Sequence, residues 1–350
     1  RDLHSFPTRR SSDLYSYSEY RPPMDVLRLV ECGDCTLVQL DTTVDRSAMY
    51  HDRYGYVSGA NRGIVKDLAS VAATAMDFRG QHGFNTTLGA SWLDIASNDG
   101  TLLSLVPRSF IRVGVDPIEK FAPLARAHAN RIIPDYFSAS HFGGDEFDVI
   151  TSVSMFYDVH DLNAFVADVA SILAKDGIWV IQQNYLAPML LGWSYDNICH
   201  EHLTYFSVQA LEHLLSQHGL EIVGLSQSPI NGGCIRTVVA HAGVYPSSPR
   251  VVETSNWEAT NLVEARWSMF REVVTHRSQE IHDLVSSYAA RGPVALYGAS
   301  TRGSILWQLA DLEGLVAAAI DIQPEKAGRF YSAVGPRIVI ELPKPIEEDD

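Results

Sequence analysis

Between Trp92 and Ile181 short apolar runs alternate with segments of helical period, and this alternation restricts the fold more than any other feature. The runs are Trp92-Leu-Asp-Ile, Ile111-Arg-Val-Gly-Val-Asp116, Ile132-Ile133, Phe147-Asp-Val-Ile-Thr151 and Gly177-Ile-Trp-Val-Ile181. Helical spacing fills the gaps, from Glu119 to about Asn130 and from Leu162 to Leu173. A strand that reaches the next through a helix returns parallel to it, so the pattern predicts an α/β fold of βαβ units. Apolar positions at Ile64, Val65, Leu68, Val71, Ala72 and Ala75 predict an amphipathic helix ahead of the first strand. After Ser207 a helix to about His218 precedes Leu220–Ser226 and Cys234–Ala240, which are expected to pair antiparallel at the finishing edge. Asn231-Gly-Gly233 supplies their turn. Val252 to about Ala290 reads as helical. Val294–Tyr297, the loop Gly298-Ala-Ser-Thr-Arg-Gly303, a helix to about Leu312 and Val316–Asp321 then repeat the strand, glycine loop, helix and strand-acid order, which predicts a second α/β unit.

The 350 residues carry a formal charge of -15, against general binding to nucleic acid or to an anionic membrane surface. No apolar run approaches the roughly 20 residues of a membrane span, and no secretory leader pattern is read. Four cysteines in such a length do not form a disulfide scaffold, so a reducing cytoplasm is the expected compartment. Both ends read as truncated. Residues 1–14, rich in Arg and Ser without period, read as non-native sequence, and the chain stops in the acidic stretch Glu347–Asp350.

The exit of the first strand carries Asp94, Ala96, Asn98, Asp99 and Gly100. Glycine admits close approach of a ligand to the backbone, and the amide and carboxylates present acceptors. The Gly-x-Gly-x-x-Gly spacing of a pyrophosphate cradle is absent, which favours a cationic ligand without phosphate, S-adenosylmethionine. Asp116, followed by Pro117, stands where it can accept from ribose hydroxyls. Asp135, Met155 and Phe156, at the next strand exits, are expected beside the adenine and the methyl group.

Tyr195-Asp-Asn-Ile-Cys-His-Glu-His-Leu-Thr-Tyr-Phe-Ser207 follows the fifth strand. Its two histidines flank a carboxylate, the inventory of a proton-transfer site. Alternate histidines around one Glu do not match the His-Glu-x-x-His helix pattern of a catalytic metal. Cys32-Gly-Asp-Cys35 is half of a tetrahedral zinc knuckle, or a pair of reduced thiols in a turn.

These pieces, with Tyr54-Gly-Tyr-Val-Ser-Gly59 and Gly114-Val-Asp-Pro117, give a chain that resembles the C-methyltransferases of nucleotide-linked keto-deoxysugars, within the class I S-adenosylmethionine-dependent fold. The resemblance runs from about Cys32 to about Pro345. It implies a Rossmann-like methyltransferase sheet, a partial N-terminal zinc lobe and a second, C-terminal Rossmann-like domain. The divisions are 15–60 for the zinc lobe and lid, 61–245 for the methyltransferase domain, and 246–350 for the helical connection and incomplete substrate domain. It also implies His202 as catalytic base, Glu201 as assisting carboxylate, and Cys32 and Cys35 as structural zinc ligands. Cys199 stands where family members carry a tyrosine, a departure that bears on the substrate.

Carbon methylation needs an acidic carbon beside a ketone, a base near neutral pH and donors for the resulting oxyanion. His202 and Glu201 suit the proton transfer. His200, Tyr195, Tyr205 and Asn197 are spare groups for a substrate oxygen. Tyr54, Tyr56, Ser58 and Asn61 are expected to form a lid. Asn231 and Arg236 are expected at the sugar or a phosphate, and Ser300, Thr301 and Arg302 at a pyrophosphate. An O-methyltransferase would share the cofactor loop, a nicotinamide-dependent sugar oxidoreductase would use two such units, and a sugar-binding protein would need no methyl donor.

Overall fold

The computed structural model describes residues 2–9, 15–16, 24–43, 45–51, 54–84, 89–331 and 339–343. The N-terminal region holds β1 (Asp2–Arg9), β2 (Tyr15–Ser16), β3 (Met24–Glu31), β4 (Val38–Leu40), the one-turn α1 (Arg46–Met49) and the long α2 (Arg62–Gln81). Next come β5 (Ser91–Ile95), α3 (Thr101–Leu105), β6 (Ile111–Val115), α4 (Ala122–Ala125), β7 (Arg131–Ile133), β8 (Phe147–Val153) and α5 (Leu162–Ile172). They are followed by β9 (Leu173–Asn184), α6 (Leu186–Leu191), β10 (Thr204–Tyr205), α7 (Val208–Ser216), β11 (Leu220–Ser228) and β12 (Cys234–His241). The rest is α8 (Pro249–Asn261), α9 (Glu264–Ala289), β13 (Ala295–Tyr297), α10 (Thr301–Leu309), β14 (Ala318–Ile320), β15 (Phe330–Tyr331) and β16 (Ile340–Glu341).

Seven strands make one sheet in the order β11-β12-β9-β8-β5-β6-β7. Strands β9, β8, β5, β6 and β7 are mutually parallel, while β12 runs against both β9 and β11. The expected antiparallel finish is therefore present, with Ser228 opposite Cys234 across the glycine turn. The chain winds from β5 out to β7, then crosses back to β8, and this reversal opens a crevice at the carboxyl ends of β5 and β8. Alternate residues serve opposite faces. Leu93, Ile150, Trp179 and Ile181 pack with α5 and α7, while Trp92, Val149, Ile178 and Val180 pack with α2 and α3. Both faces are covered, which explains why these strands read as continuous apolar runs.

The helix expected over Glu119–Asn130 reduces to a 3-10 turn, Glu119–Phe121, and the four residues of α4. Its end is already claimed by the sheet: the Asn130 amide donates to the Arg112 carbonyl and its Oδ1 accepts from the Arg112 N–H at 2.9 Å. The helical stretch from Val252 breaks at Leu262–Val263 into α8 and α9.

A second sheet, β1-β3-β4-β10, ties the N-terminal region to the segment just after His202. Leu27, Leu29, Val38 and Leu40 pack there with Tyr195, Leu203, Tyr205 and with Trp267 and Phe270 of α9. Residues 2–9, read as non-native, pair antiparallel with β3. Residues 10–14 and Glu347–Asp350 lie outside the described residues. In the C-terminal region β13, β14 and β16 form a three-stranded parallel sheet, and β15 pairs with β2.

Candidate active site

A cavity of about 680 Å³ opens at the carboxyl ends of β5, β6 and β8. Four non-glycine residues lining it adopt positive φ: Ala96 (60°), Asn98 (50°), Ser154 (53°) and Asn231 (54°). Strain of this kind gathers where backbone is bent around a ligand. Ala96, Asn98, Asp116, Pro117 and Met155 line the cavity. Asp116 accepts N–H bonds from Asn98 (2.8 Å) and Ile118 (2.9 Å), and burial raises its carboxyl above the usual range. Asn98 holds the 56–58 segment, since its Oδ1 accepts the Ser58 N–H at 3.0 Å and its amide donates to the Tyr56 carbonyl at 3.2 Å. Tyr54, Tyr56 and Ser58 accordingly lie on the cavity wall.

Other expected cofactor residues support the loop without lining the cavity. Asp94 is buried beneath it, accepts the Thr151 hydroxyl at 2.7 Å, and is raised by burial to about 7. Asp99 accepts the N–H and hydroxyl of Thr101 at the start of α3 and holds the Gly59 N–H at 3.0 Å. Gly100 has φ 80°, and a Cβ would stand 2.7 Å from Ala125 Cα, so only glycine fits. Asp135 is exposed and bonds the Tyr136 N–H, while Tyr136 and Phe137 take the cavity wall. Phe156 turns into the core, stacked on Phe206 and edge-on to Trp179. Asn61 caps α2, accepting from Gly63 at 2.7 Å, and does not reach the cavity.

Asn197, Cys199, Glu201 and His202 line the opposite part of the same cavity. The segment is a turn closed by the His202 N–H on the Cys199 carbonyl at 3.2 Å, which lets adjacent side chains share one cavity. His202 Nδ1 lies 2.7 Å from the Asn197 carbonyl. A carbonyl only accepts, so Nδ1 carries the proton and Nε2 is the basic nitrogen. The partner of Nδ1 is thus a main-chain carbonyl. Tyr157 packs edge-on against the imidazole at 4.5 Å. Burial, opposed by the Asn197 bond and aided by the charge of Arg302, lowers His202 to about 4. The ring is therefore neutral at neutral pH, with the Nε2 lone pair free of a proton.

His200, Tyr195 and Tyr205 are buried and do not line the cavity. Tyr195 and Tyr205 belong to the apolar cluster under α9. Arg236, expected at substrate, is also internal. Its guanidinium donates to Gln182 Oε1, to the Ser70 carbonyl and hydroxyl, and to Thr74, and it pairs with Asp67 at 3.5 Å. It clamps α2 to the sheet. Asn231, at φ 54° in the β11–β12 turn, does line the cavity, and its carbonyl accepts from the Asn197 side chain at 3.1 Å.

The C-terminal unit reaches the cavity through Ser300, Thr301, Arg302, Gln323 and Lys326. Ser300 caps α10, Arg302 pairs with Asp196 at 2.6 Å, and Lys326 pairs with Asp321 at 2.8 Å. Sequence reasoning missed Tyr50, Asp67, Tyr157, Asp158 and Lys326. Asp158 carried a usable signal, an acidic residue just past a strand end, as Asp116 is. Cys32 and Cys35 share a turn in which the backbone N–H groups of Cys35 and Asp34 lower the Cys32 thiol. Among the described residues no group of three or more His, Cys, Asp or Glu could hold a metal, so the expected zinc has only two of the four ligands it needs. No helix among the described residues is long and apolar enough to cross a membrane.

A family model described as a methyltransferase domain matches residues 68–225, and one described as a C-methyltransferase C-terminal domain matches residues 229–350. The C-methyltransferase NovU of Streptomyces niveus is 28% identical over 297 residues, covering 81% of this chain and 68% of NovU. Among solved structures, the mitomycin 7-O-methyltransferase MmcR is 19% identical with a TM-score of 0.40, covering 51% of this chain and 54% of MmcR. The magnesium protoporphyrin IX methyltransferase of Synechocystis, with bound S-adenosylhomocysteine, is 14% identical with a TM-score of 0.41, covering 54% and 90%. The two family models meet at the end of β11 beside the cavity, and with NovU they support an S-adenosylmethionine-dependent methyltransferase that is similar to C-methyltransferases.

Proposed function

We propose that this methyltransferase forms a carbon–carbon bond at the carbon next to a ketone in a nucleotide-linked keto-deoxysugar, with His202 as the base. The observation that carries the reading is the neutral imidazole on the cavity wall, its Nδ1 fixed by the Asn197 carbonyl and its Nε2 left basic. An O-methyltransferase needs a base only for a hydroxyl; a buried, oriented imidazole in a largely apolar cavity suits the removal of a proton from carbon.

The cofactor region fits S-adenosylmethionine on the chemistry of its residues. Asp116 retains acceptor capacity for hydroxyls, Ile118, Phe137 and Met155 offer an apolar slot for a flat base, and no phosphate cradle is present. When bound, S-adenosylmethionine supplies an electrophilic methyl group. The protein's own residues hold the sugar, exclude water, and take the proton at His202 Nε2. Glu201 and Cys199 stand at the reacting end. The small parallel sheet of β13, β14 and β16 is read as a Rossmann-like unit for the nucleotide. The N-terminus of α10, which brings Ser300, Thr301 and Arg302 to the cavity wall, suits a diphosphate.

The test is product analysis with methyl-labelled S-adenosylmethionine and a panel of thymidine-, uridine- and guanosine-diphosphate 4-keto-6-deoxyhexoses. A labelled C–CH₃ resonance is expected, together with loss of α-carbon deuterium exchange in His202→Ala. An O–CH₃ product, or exchange undiminished in that variant, refutes the proposal.

A further inference from the structure

Asp158 ends the 3-10 turn Phe156–Asp158, just past β8, and lines the cavity. Its Oδ2 accepts the Tyr50 hydroxyl at 2.9 Å. Its Oδ1 is buried and has no hydrogen-bond partner among the described residues. The preceding residue, Tyr157, is the one packed on the His202 ring, so one turn carries both Asp158 and the contact that seats the base.

A buried polar atom without a partner is destabilising, and more so when charged. Such an atom in a ligand cavity is accounted for if a ligand completes it. The surroundings select which form of the carboxyl waits there. Tyr50 and Tyr54 face it from the segment before α2, Cys199 and Glu201 from the turn that carries His202, and Tyr157 from its own turn. Burial pushes the two lid tyrosines, Tyr157 and the Cys199 thiol well above their usual ranges, so all four are neutral at neutral pH. Among the described residues no cation pairs with Asp158. Burial first, then the field of Glu201, hold its carboxyl well above the carboxylate range, against the Tyr50 hydrogen bond. Because Oδ2 already accepts from Tyr50, Oδ1 is the oxygen left to carry a proton.

We propose that the Asp158 carboxyl donates a hydrogen bond from Oδ1 to the substrate's ketone oxygen as that oxygen becomes an enolate. The role rests on the ketone reading above. In the step, the α-carbon's proton passes to His202 Nε2, the C–H electron pair becomes the new C=C bond, and the carbonyl π pair moves onto oxygen. The Asp158 proton is shared in the hydrogen bond and not transferred, so charge builds on an oxygen that already has a donor.

Two measurements decide it. In α-carbon deuterium exchange on the ketosugar panel, Asp158→Ala should lose about 100-fold, the usual effect of removing one oxyanion donor. Asp158→Asn keeps an acceptor for Tyr50 and an N–H for the substrate, and should stay within about 10-fold of wild type. Wild-type exchange should fall at high pH as Asp158 ionises, and Asp158→Asn should lack that limb, which a merely structural residue would not produce. Unchanged binding of S-adenosylmethionine by calorimetry checks that each variant is folded. Carboxyl-¹³C aspartate NMR without any sugar, with Asp158→Asn to assign the signal, should find Asp158 protonated at pH 7. Exchange by Asp158→Ala at the wild-type rate, or a carboxylate signal at pH 7, overturns this role alone. Failure of the wild type to exchange any ketosugar overturns the functional reading and this role with it.

Discussion

The sharpest consequence of the site's geometry concerns the charge state of His202. Its imidazole is held near 4 mainly by burial, against an ordinary value of 6.5. A histidine lowered in the folded state binds its proton first in the unfolded chain. Its contribution to stability is therefore complete above the unfolded value and is lost as pH falls from about 6.5 toward about 4. A gap of roughly 2.5 units corresponds to about 3 kcal/mol, and the part of the ring that faces the cavity reduces this to about 2. Replacement by Asn places an amide nitrogen where Nδ1 stood, so the bond to the Asn197 carbonyl persists while the titration is removed. Urea unfolding of both proteins between pH 7.5 and 4 should show the wild type losing about 2 kcal/mol more than His202→Asn across that window. The other titrating groups cancel in the difference. NMR of the ring should find one neutral tautomer, protonated at Nδ1, at pH 6. Parallel stability curves, or a ring that titrates near 6.5, would refute the argument that burial keeps this base neutral.

Two further outcomes test the supports of the site. Arg236→Met should destabilise the protein by about 3–5 kcal/mol in urea unfolding, because the buried Asp67 loses its cation and Gln182 Oε1 loses its donor. Little change would mean that α2 is held to the sheet by apolar packing alone. Asp94 is raised by burial to about 7, so the folded state favours its protonated form and stability falls as pH rises from about 4 to about 7. Asp94→Asn should therefore be more stable than wild type at pH 8, by up to about 4 kcal/mol, and equal to it near pH 4; equal stability at both values would remove the buried acid from the account.

The β5-to-β9 alternation was legible because side-chain period is a local property, and the covered faces of Leu93 and Trp92 agree with it. Asn98 and Asp116 were legible for a related reason. A residue just past a parallel strand must emerge at the sheet's carboxyl edge whatever its distant neighbours are. The His200–His202 segment was legible from composition, since two histidines and a carboxylate in one short stretch have few structural uses, while the choice of His202 rested on the family resemblance.

What the residues could not reveal was orientation and distant partnership. Arg236 and Asn61 have side chains fit for substrate, and the fold turns one into the clamp on α2 and the other into its cap. Of the two alternating histidines, the turn at Cys199–His202 delivers His202 to the cavity and buries His200 behind it. Tyr50 meets Asp158 across 108 positions, and Arg302 meets Asp196 across 106. Sequence order therefore determined the layers, the strand exits and the residue types available for chemistry. Tertiary structure alone decided which of them share a cavity, because burial and hydrogen bonding act through distance in space, and chain separation says little about that.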